Sequence, residues 1–298
     1  MIHTLRNEYL SVEINSFGAE LTRLIDMEDG IEYVCPEANC HWENIAPILF
    51  PNTGLVKDGL VTIDGRQYPY LKHGFARESE FDVSLKKDDS ITFRLADSKD
   101  TQKIFPFKFV LSITYLLEGR KVTVQTEIEN ADSKVMYCSL GFHPGFTCPI
   151  EPKEKAEDYI IEFPNKAYAS RLNLVDGLVD SKTTHFWDGV FELPVKEHMF
   201  DNGSFSMTDI NVKCVKLVSK KTGRYIQLDY EDYPNLILWA PRYKPISVIC
   251  MEPWYGQPDR SEGEKDVSQK PHTMKIKSGE TKTLCFSITC NQYYEERK

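Results

Sequence analysis

The chain has 298 residues, 41% hydrophobic, 12% aromatic and 27% charged, a balance that suits a globular protein with a large core and argues against disorder except at the ends. Its net charge of −9 repels a long polyanion on average, so nucleic acid is a poor partner. The opening MIHTLRNEYLSVEI has no basic stretch followed by an apolar one, and no apolar run approaches the roughly 18 to 20 residues of a membrane span, so a cytoplasmic protein with no membrane association is expected.

In chain order, short segments alternate apolar and polar residues in the manner of half-buried strands: LSVEI, SITFRL, FVLSITYLL, KVTVQTEIEN and KTLCFSITC. The segments from Phe109 to Asn130 read as one long antiparallel hairpin turning at Glu118-Gly119-Arg120, where glycine can take a turn conformation closed to most residues. A second pairing is expected between Val215–Val218 and Tyr225–Tyr230, around Lys221-Thr222-Gly223-Arg224. Short helical turns are expected at Glu37–Glu43 and Asp259–Glu262, an exposed loop over Asp259–Lys270, and a charged end in NQYYEERK. Sustained helical periodicity is absent, and many short strands punctuated by Gly, Asn and Asp favour a large antiparallel β-sandwich over alternating β-α units. With no linker rich in Pro, Gly or Ser and no repeat, one domain across residues 1–298 is expected, since all-β units often exceed roughly 200 residues.

Eight cysteines occur, mostly within apolar strand-like segments such as VMYCSLGF and SVICMEPW. Without a secretion signal they read as reduced core thiols. No CxxC is present, and neither Cys35–Cys40 nor Cys285–Cys290 has a usual zinc-ligand spacing, so no metal is expected.

Three segments set ionisable groups among glycine, proline and aromatic residues: HGFAR at His73–Arg77, GFHPGF at Gly141–Phe146 and CMEPWYGQPD at Cys250–Asp259. Such loops build concave, partly dry pockets in which a histidine titrates near neutrality and a carboxyl is shifted. Each residue also has a plain structural reading. His73 and His143 can be satisfied by backbone hydrogen bonds at strand ends. Glu252, following the apolar run ISVICM, sits where an unpaired carboxylate costs several kcal/mol, and an ion pair with Arg242 would satisfy it.

HGFAR, GFHPGF and CMEPWYGQPD, in that order along an all-β chain, resemble the aldose 1-epimerase (galactose mutarotase) family, and within it the LacX-like bacterial branch. FGAEL at Phe17–Leu21, APILFPNTG with a following DG at Ala46–Gly59, ILWAP at Ile237–Pro241 and KSGET at Lys277–Thr281 extend the resemblance over most of the chain. It implies a galactose mutarotase-like β-supersandwich with a sugar cleft, binding a small-molecule sugar or sugar phosphate without cofactor, as a monomer or homodimer. It implies Glu252 as the base that takes the anomeric proton, His143 as the acid toward the ring oxygen and His73 as an orienting donor. Glu252 ionised beside a protonated His143 is the resting state expected from their mutual attraction.

Substrate contacts implied in the same way are Trp239 and Trp254 as flat faces for a pyranose, with Asp201, and with Asn52 and Lys57 in the APILFPNTG...DG segment. Where many relatives carry arginine between the two glycines of that segment, this chain has Leu55, and Lys57 is an imperfect replacement for a guanidinium fork. HGFAR also resembles the hexose-6-phosphate mutarotases, whose arginine lies near an anionic group; Arg77 would suit phosphate or else pair with Glu78 or Glu80. A non-catalytic carbohydrate-binding or sugar-sensing protein is the alternative, since fold does not fix function. A glycoside hydrolase would need a second carboxylate, such as Asp201 or Asp259, roughly 5 to 10 Å from Glu252.

Overall fold

Alternation along the chain becomes alternation in space. Phe109–Glu118 and Lys121–Asn130 bury every second side chain and pair in register from Lys121 opposite Glu118 to Asn130 opposite Phe109. Cys214–Ser219 and Arg224–Asp229 form the second expected hairpin. The structure, a computed structural model, describes residues 1–36, 40–263 and 265–292, the side chains of 181–186 and 292 excepted.

The molecule is all-β, and its strand pairings are antiparallel within a sheet of 15 strands and three smaller sheets. From Ile48–Leu49 the large sheet runs through Leu140–Phe142, Val248–Tyr255, Asn235–Trp239 and Phe205–Thr208 to Tyr159–Val175. It then continues through Cys214–Ser219, Arg224–Asp229, Thr281–Gln292 and the Phe109–Asn130 hairpin to its far edge. Tyr159–Val175 links the two halves: its first residues pair with Cys214–Ser219, and Ser170 and Arg171 pair with Phe205–Thr208. Along its whole length it also pairs with Leu178–Pro194, with four register shifts. This hairpin of two 17-residue strands turns at Asp176-Gly177, both at positive φ, as a tight primed turn requires.

One large hydrophobic cluster fills the interior. All eight cysteines are free thiols, six of them buried. No helix among the described residues is long and apolar enough to cross a membrane.

Two local expectations are overturned. Residues 40–43 and Asp259–Glu262 form turns, bends and an isolated bridge rather than helix, and Glu37–Asn39 lie outside the described residues, as do the last six residues of NQYYEERK. Nor is the Asp259–Lys270 loop simply exposed. Asp259 is buried, accepts from the Lys57 backbone N–H at 3.0 Å and pairs with Lys270 at 2.5 Å, so burial of this loop rests on charge pairing that residue polarity alone does not reveal.

A buried ionic cluster ties the Glu20–Asp26 strand to the large sheet. Arg224 is 5% exposed and donates to Asp26 (3.3 Å), Tyr33 (2.8 Å), Glu151 (2.8 Å) and Asp29, while Arg120 reaches Asp26 at 2.7 Å. Although burial opposes ionisation of Asp26, its arginine, backbone and tyrosine hydrogen bonds together hold the carboxyl below its ordinary range. Removing one partner of such a cluster strands buried charge. Arg224→Met is therefore expected to lower unfolding free energy by about 3 to 5 kcal/mol, measured by urea denaturation; a loss below about 1 kcal/mol would show that the cluster is dispensable.

Candidate active site

Strand register brings two of the three polar interruptions together. Gly141 pairs with Trp254 and Gly145 with Cys250, and the same register carried across the gap between them sets His143 opposite Glu252. On the other side of Val248–Tyr255, Ile237 pairs with Glu252 and Trp239 with Cys250. Alternate residues of this strand serve opposite faces. Ile249 and Met251 enter the main core, whereas Glu252 and Trp254 look the other way, into a cleft of about 810 Å³, and Cys250 belongs to a separate small cluster with Cys35, Cys40 and Val248, against which Trp42 and Trp239 pack. The His143 Nε2 to Glu252 Oε2 separation is 3.3 Å.

His73 arrives on a loop locked to its neighbour. The His73 N–H donates to the Gly54 carbonyl at 3.0 Å, and the N–H groups of Phe75 and Ala76 both donate to Phe50 O. Phe75 is inserted among Phe50, Phe105 and Phe109. Both His73 (φ 68) and Gly74 (φ 73) are left-handed, and a Cβ at Gly74 would lie 2.1 Å from the Phe50 oxygen. Only glycine permits that approach. In addition, the Gly54 N–H donates to His73 Nδ1 at 3.1 Å, which makes Nδ1 an acceptor and leaves the proton of the neutral ring on Nε2.

Three tryptophans exclude water from the histidines. Trp42 stacks on His143 with centroids 4.6 Å apart, Trp239 meets it edge-on at 5.6 Å, and Trp254 lies 5.5 Å from His73. Burial is the leading influence on all three titratable groups: it pushes His143 down to about 3, His73 well below its ordinary value and Glu252 well above. Burial thus works against the expected resting ion pair and favours a protonated Glu252 beside a neutral His143. Magnitudes explain why: attraction at about 4 Å is worth about 4 kcal/mol at an effective dielectric near 20, while desolvation costs several kcal/mol for each ion. Both Glu252 oxygens, His143 Nδ1 and Trp254 Nε1 are buried without a hydrogen-bond partner, and all belong to residues lining the cleft.

A model of the family described as aldose 1-epimerase matches residues 1–283. The chain belongs to the aldose 1-epimerase family. It is 30% identical over 294 residues, 96% of this chain and 98% of the relative, to the plasmid form of protein LacX from Lactococcus lactis subsp. lactis, and equally to the chromosomal form. A galactose mutarotase related enzyme from Lactobacillus acidophilus superposes with a TM-score of 0.90 at 26% identity, covering 100% of both chains. A galactose mutarotase-like protein from Lactobacillus casei gives 0.90 at 29% identity, covering 98% of this chain and 100% of that one. The supersandwich expected from the sequence is therefore the family fold.

Of the other residues singled out, Arg77, Trp239 and Trp254 line the cleft, and so does Leu55, which packs beneath the Gly177 turn. Arg77 also makes the plain ion pair, with exposed Glu78 at 3.3 Å. Asp201, Lys57 and Asn52 do not line the cleft. Asp201 is held by the Tyr243 N–H and His198, and its carbonyl accepts from Arg242, which also removes Arg242 as a partner for Glu252. Lys57 Nζ donates to the Ser261 carbonyl. Asn52 donates to the carbonyls of Gly54 and Leu71 and so braces the two loops that seat His73. Asp259 is occupied by Lys270, leaving Asp176 as the other carboxylate among the described residues lining the cleft.

Residues that sequence reasoning missed are Trp42, Lys72 and the hairpin tip bearing Arg171, Asn173 and Asp176. The Asp176-Gly177 pair was the available signal for that tip. Cys250 was also overlooked: its Sγ and one atom each of His143 and Glu252 lie within 4.8 Å of one another, a donor set of the kind that binds zinc, although cysteine spacing predicts no metal.

The folded protein keeps His73 neutral, whereas the unfolded chain's histidine takes up a proton below about pH 6.5. The folded state therefore has its full advantage above that pH and loses it on acidification. Between pH 6.5 and 5.0 wild type is expected to lose more unfolding free energy than His73→Gln, by up to roughly 1.5 kcal/mol. Parallel pH profiles in urea denaturation would contradict a buried neutral His73.

Proposed function

We propose that the protein interconverts the α and β anomers of a cyclic aldose by opening and reclosing its hemiacetal, with Glu252 and His143 moving the protons and His73 orienting the sugar. The observation that carries this reading is the buried pair of His143 Nε2 and Glu252 Oε2 at 3.3 Å inside a cleft walled by tryptophan. Ring opening needs one acid and one base, and a pair holding one proton supplies both.

Sugar hydroxyls entering the cleft donate to the Glu252 oxygens and stabilise the carboxylate, so the proton that burial favours on Glu252 moves to His143. Glu252 then takes the proton of the anomeric hydroxyl while His143 donates to the ring oxygen. C1 becomes an aldehyde, and both protein groups return to the neutral forms that burial favours. Rotation about the C1–C2 bond presents the other carbonyl face. Closure runs in reverse: Glu252 returns its proton to the carbonyl oxygen as His143 takes one from the O5 hydroxyl. His73 Nε2–H points a fixed donor toward the ring oxygen or a neighbouring hydroxyl, and Trp239 and Trp254 offer faces to the C–H side of the ring. A site that only bound sugar would gain nothing from a desolvated acid–base pair, which favours catalysis over sensing.

Glu252→Gln keeps the shape and neutrality of the resting carboxyl but cannot accept a proton. Its α/β exchange rate on glucose or galactose, read by polarimetry or NMR, is expected to fall by about 10²- to 10⁴-fold, with sugar affinity by calorimetry kept within a few-fold. Full activity in that variant would remove Glu252 from the mechanism, and no acceleration with any aldose in wild type would refute the reading.

A further inference from the structure

The strand that carries Glu252 also carries a sulfur. Cys250 and Glu252 are alternate residues of Val248–Tyr255, so their side chains leave the strand on the same face. His143 stands across from them, between the paired positions Gly141–Trp254 and Gly145–Cys250. Among the described residues, these three side chains form a group close enough to hold a metal ion: Cys250 Sγ, one nitrogen of His143 and one oxygen of Glu252 all lie within 4.8 Å of one another. His143 Nε2 and Glu252 Oε2 are 3.3 Å apart. Zinc bonds of about 2.0 to 2.3 Å place tetrahedral ligands about 3.3 to 3.8 Å from one another, so the nitrogen and oxygen already have that spacing and the sulfur has at most about 1.5 Å to close.

The set is held in place, reachable and chemically selective. Trp42 stacks on the His143 ring and Trp239 meets it edge-on. The same two tryptophans pack against the small cluster that contains Cys250, so one pair of walls holds both the nitrogen and the sulfur. Glu252 is 1% exposed, and its oxygens are buried without a hydrogen-bond partner, an arrangement that a cation would complete. His143 and Glu252 line the cleft, which gives an ion its way in. Imidazole, thiolate and carboxylate together suit zinc, whereas magnesium and calcium prefer oxygen ligands. Cysteine spacing could not reveal the set, because only one member is a cysteine and the histidine comes from a distant part of the chain.

We propose that His143, Cys250 and Glu252 form a zinc site whose occupation switches sugar exchange off. Binding replaces the thiol and carboxyl protons by the ion. Zn²⁺ with one thiolate and one carboxylate then sums to no net charge, which suits surroundings that penalise isolated charge. The site stands on its donors alone, whereas the inhibition rests on the epimerase reading. With the His143 Nε2 lone pair and a Glu252 oxygen committed to zinc, neither residue is able to move the protons of ring opening. Three protein ligands leave a fourth position for water or a sugar hydroxyl, so sugar still enters the cleft of the loaded protein.

The test follows α/β exchange of glucose or galactose by NMR. Excess Zn²⁺ is expected to lower the metal-free rate at least about tenfold, EDTA to restore it, and the same concentration of Mg²⁺ to leave it unchanged. Binding is read separately with Co²⁺, which should show sulfur-to-cobalt charge-transfer absorption in wild type and in Cys35→Ser but not in Cys250→Ser. Relative to that variant's own metal-free rate, Cys250→Ser should also raise the half-inhibiting zinc concentration at least about tenfold. Cadmium-113 NMR of wild type needs no substitution of the buried cysteine, and its shift should report one thiolate ligand. Zinc that leaves exchange untouched, equal inhibition by Mg²⁺, a sulfur band that survives in Cys250→Ser, or a cadmium shift from two or more thiolates would overturn the proposal. The one-sulfur signature in a protein that exchanges no sugar even when free of metal would instead overturn the epimerase reading and leave the metal site standing.

Discussion

Keeping a carboxyl and an imidazole together and out of water is the constraint on which the site depends. In water the proton would sit on His143 and the charge on Glu252; within the tryptophan walls, desolvation favours the reverse. The neutral distribution is also the one that ring opening produces, because Glu252 gains a proton from the anomeric hydroxyl as His143 gives one to the ring oxygen. Burial thereby raises the basicity of the group that must accept and the acidity of the group that must donate. Driving force in both transfers is what efficient general acid–base catalysis requires.

The fold supplies this constraint through backbone register rather than through flexible loops. Glu252 lies between two paired strands, Asn235–Trp239 on one side and the segments flanking His143 on the other, so its position is set by ladder hydrogen bonds. His73 is set by a different device, a left-handed turn locked onto Phe50 and Gly54. Two independently fixed elements meeting across 5.9 Å between imidazole centroids give a preorganised pocket.

Much of this was legible in the sequence, for specific reasons. His73, His143 and Glu252 stood out because ionisable groups rarely interrupt apolar strand patterns without a use, and the Phe109–Asn130 hairpin because its alternation is unbroken. The long hairpin from Tyr159 to Pro194 was not legible, since its bulges shift the period. Asp201, Lys57 and Asn52 stand outside the cleft lining because nearness in sequence to a site motif does not say which way a side chain points, and each spends polar atoms on backbone groups or neighbours nearby. The direction in which burial pushes the proton was not legible for an energetic reason: attraction between two charges is visible in a motif, whereas the cost of burying them depends on Trp42 and on walls contributed from distant parts of the chain.

The most direct test is the protonation state of Glu252. Carbon-13 NMR of glutamate-labelled protein, with Glu252→Gln to assign the signal, should find the Glu252 carboxyl protonated at pH 7 without sugar and shifted toward carboxylate when sugar is bound. An ionised Glu252 at pH 7 in the empty cleft would contradict the account.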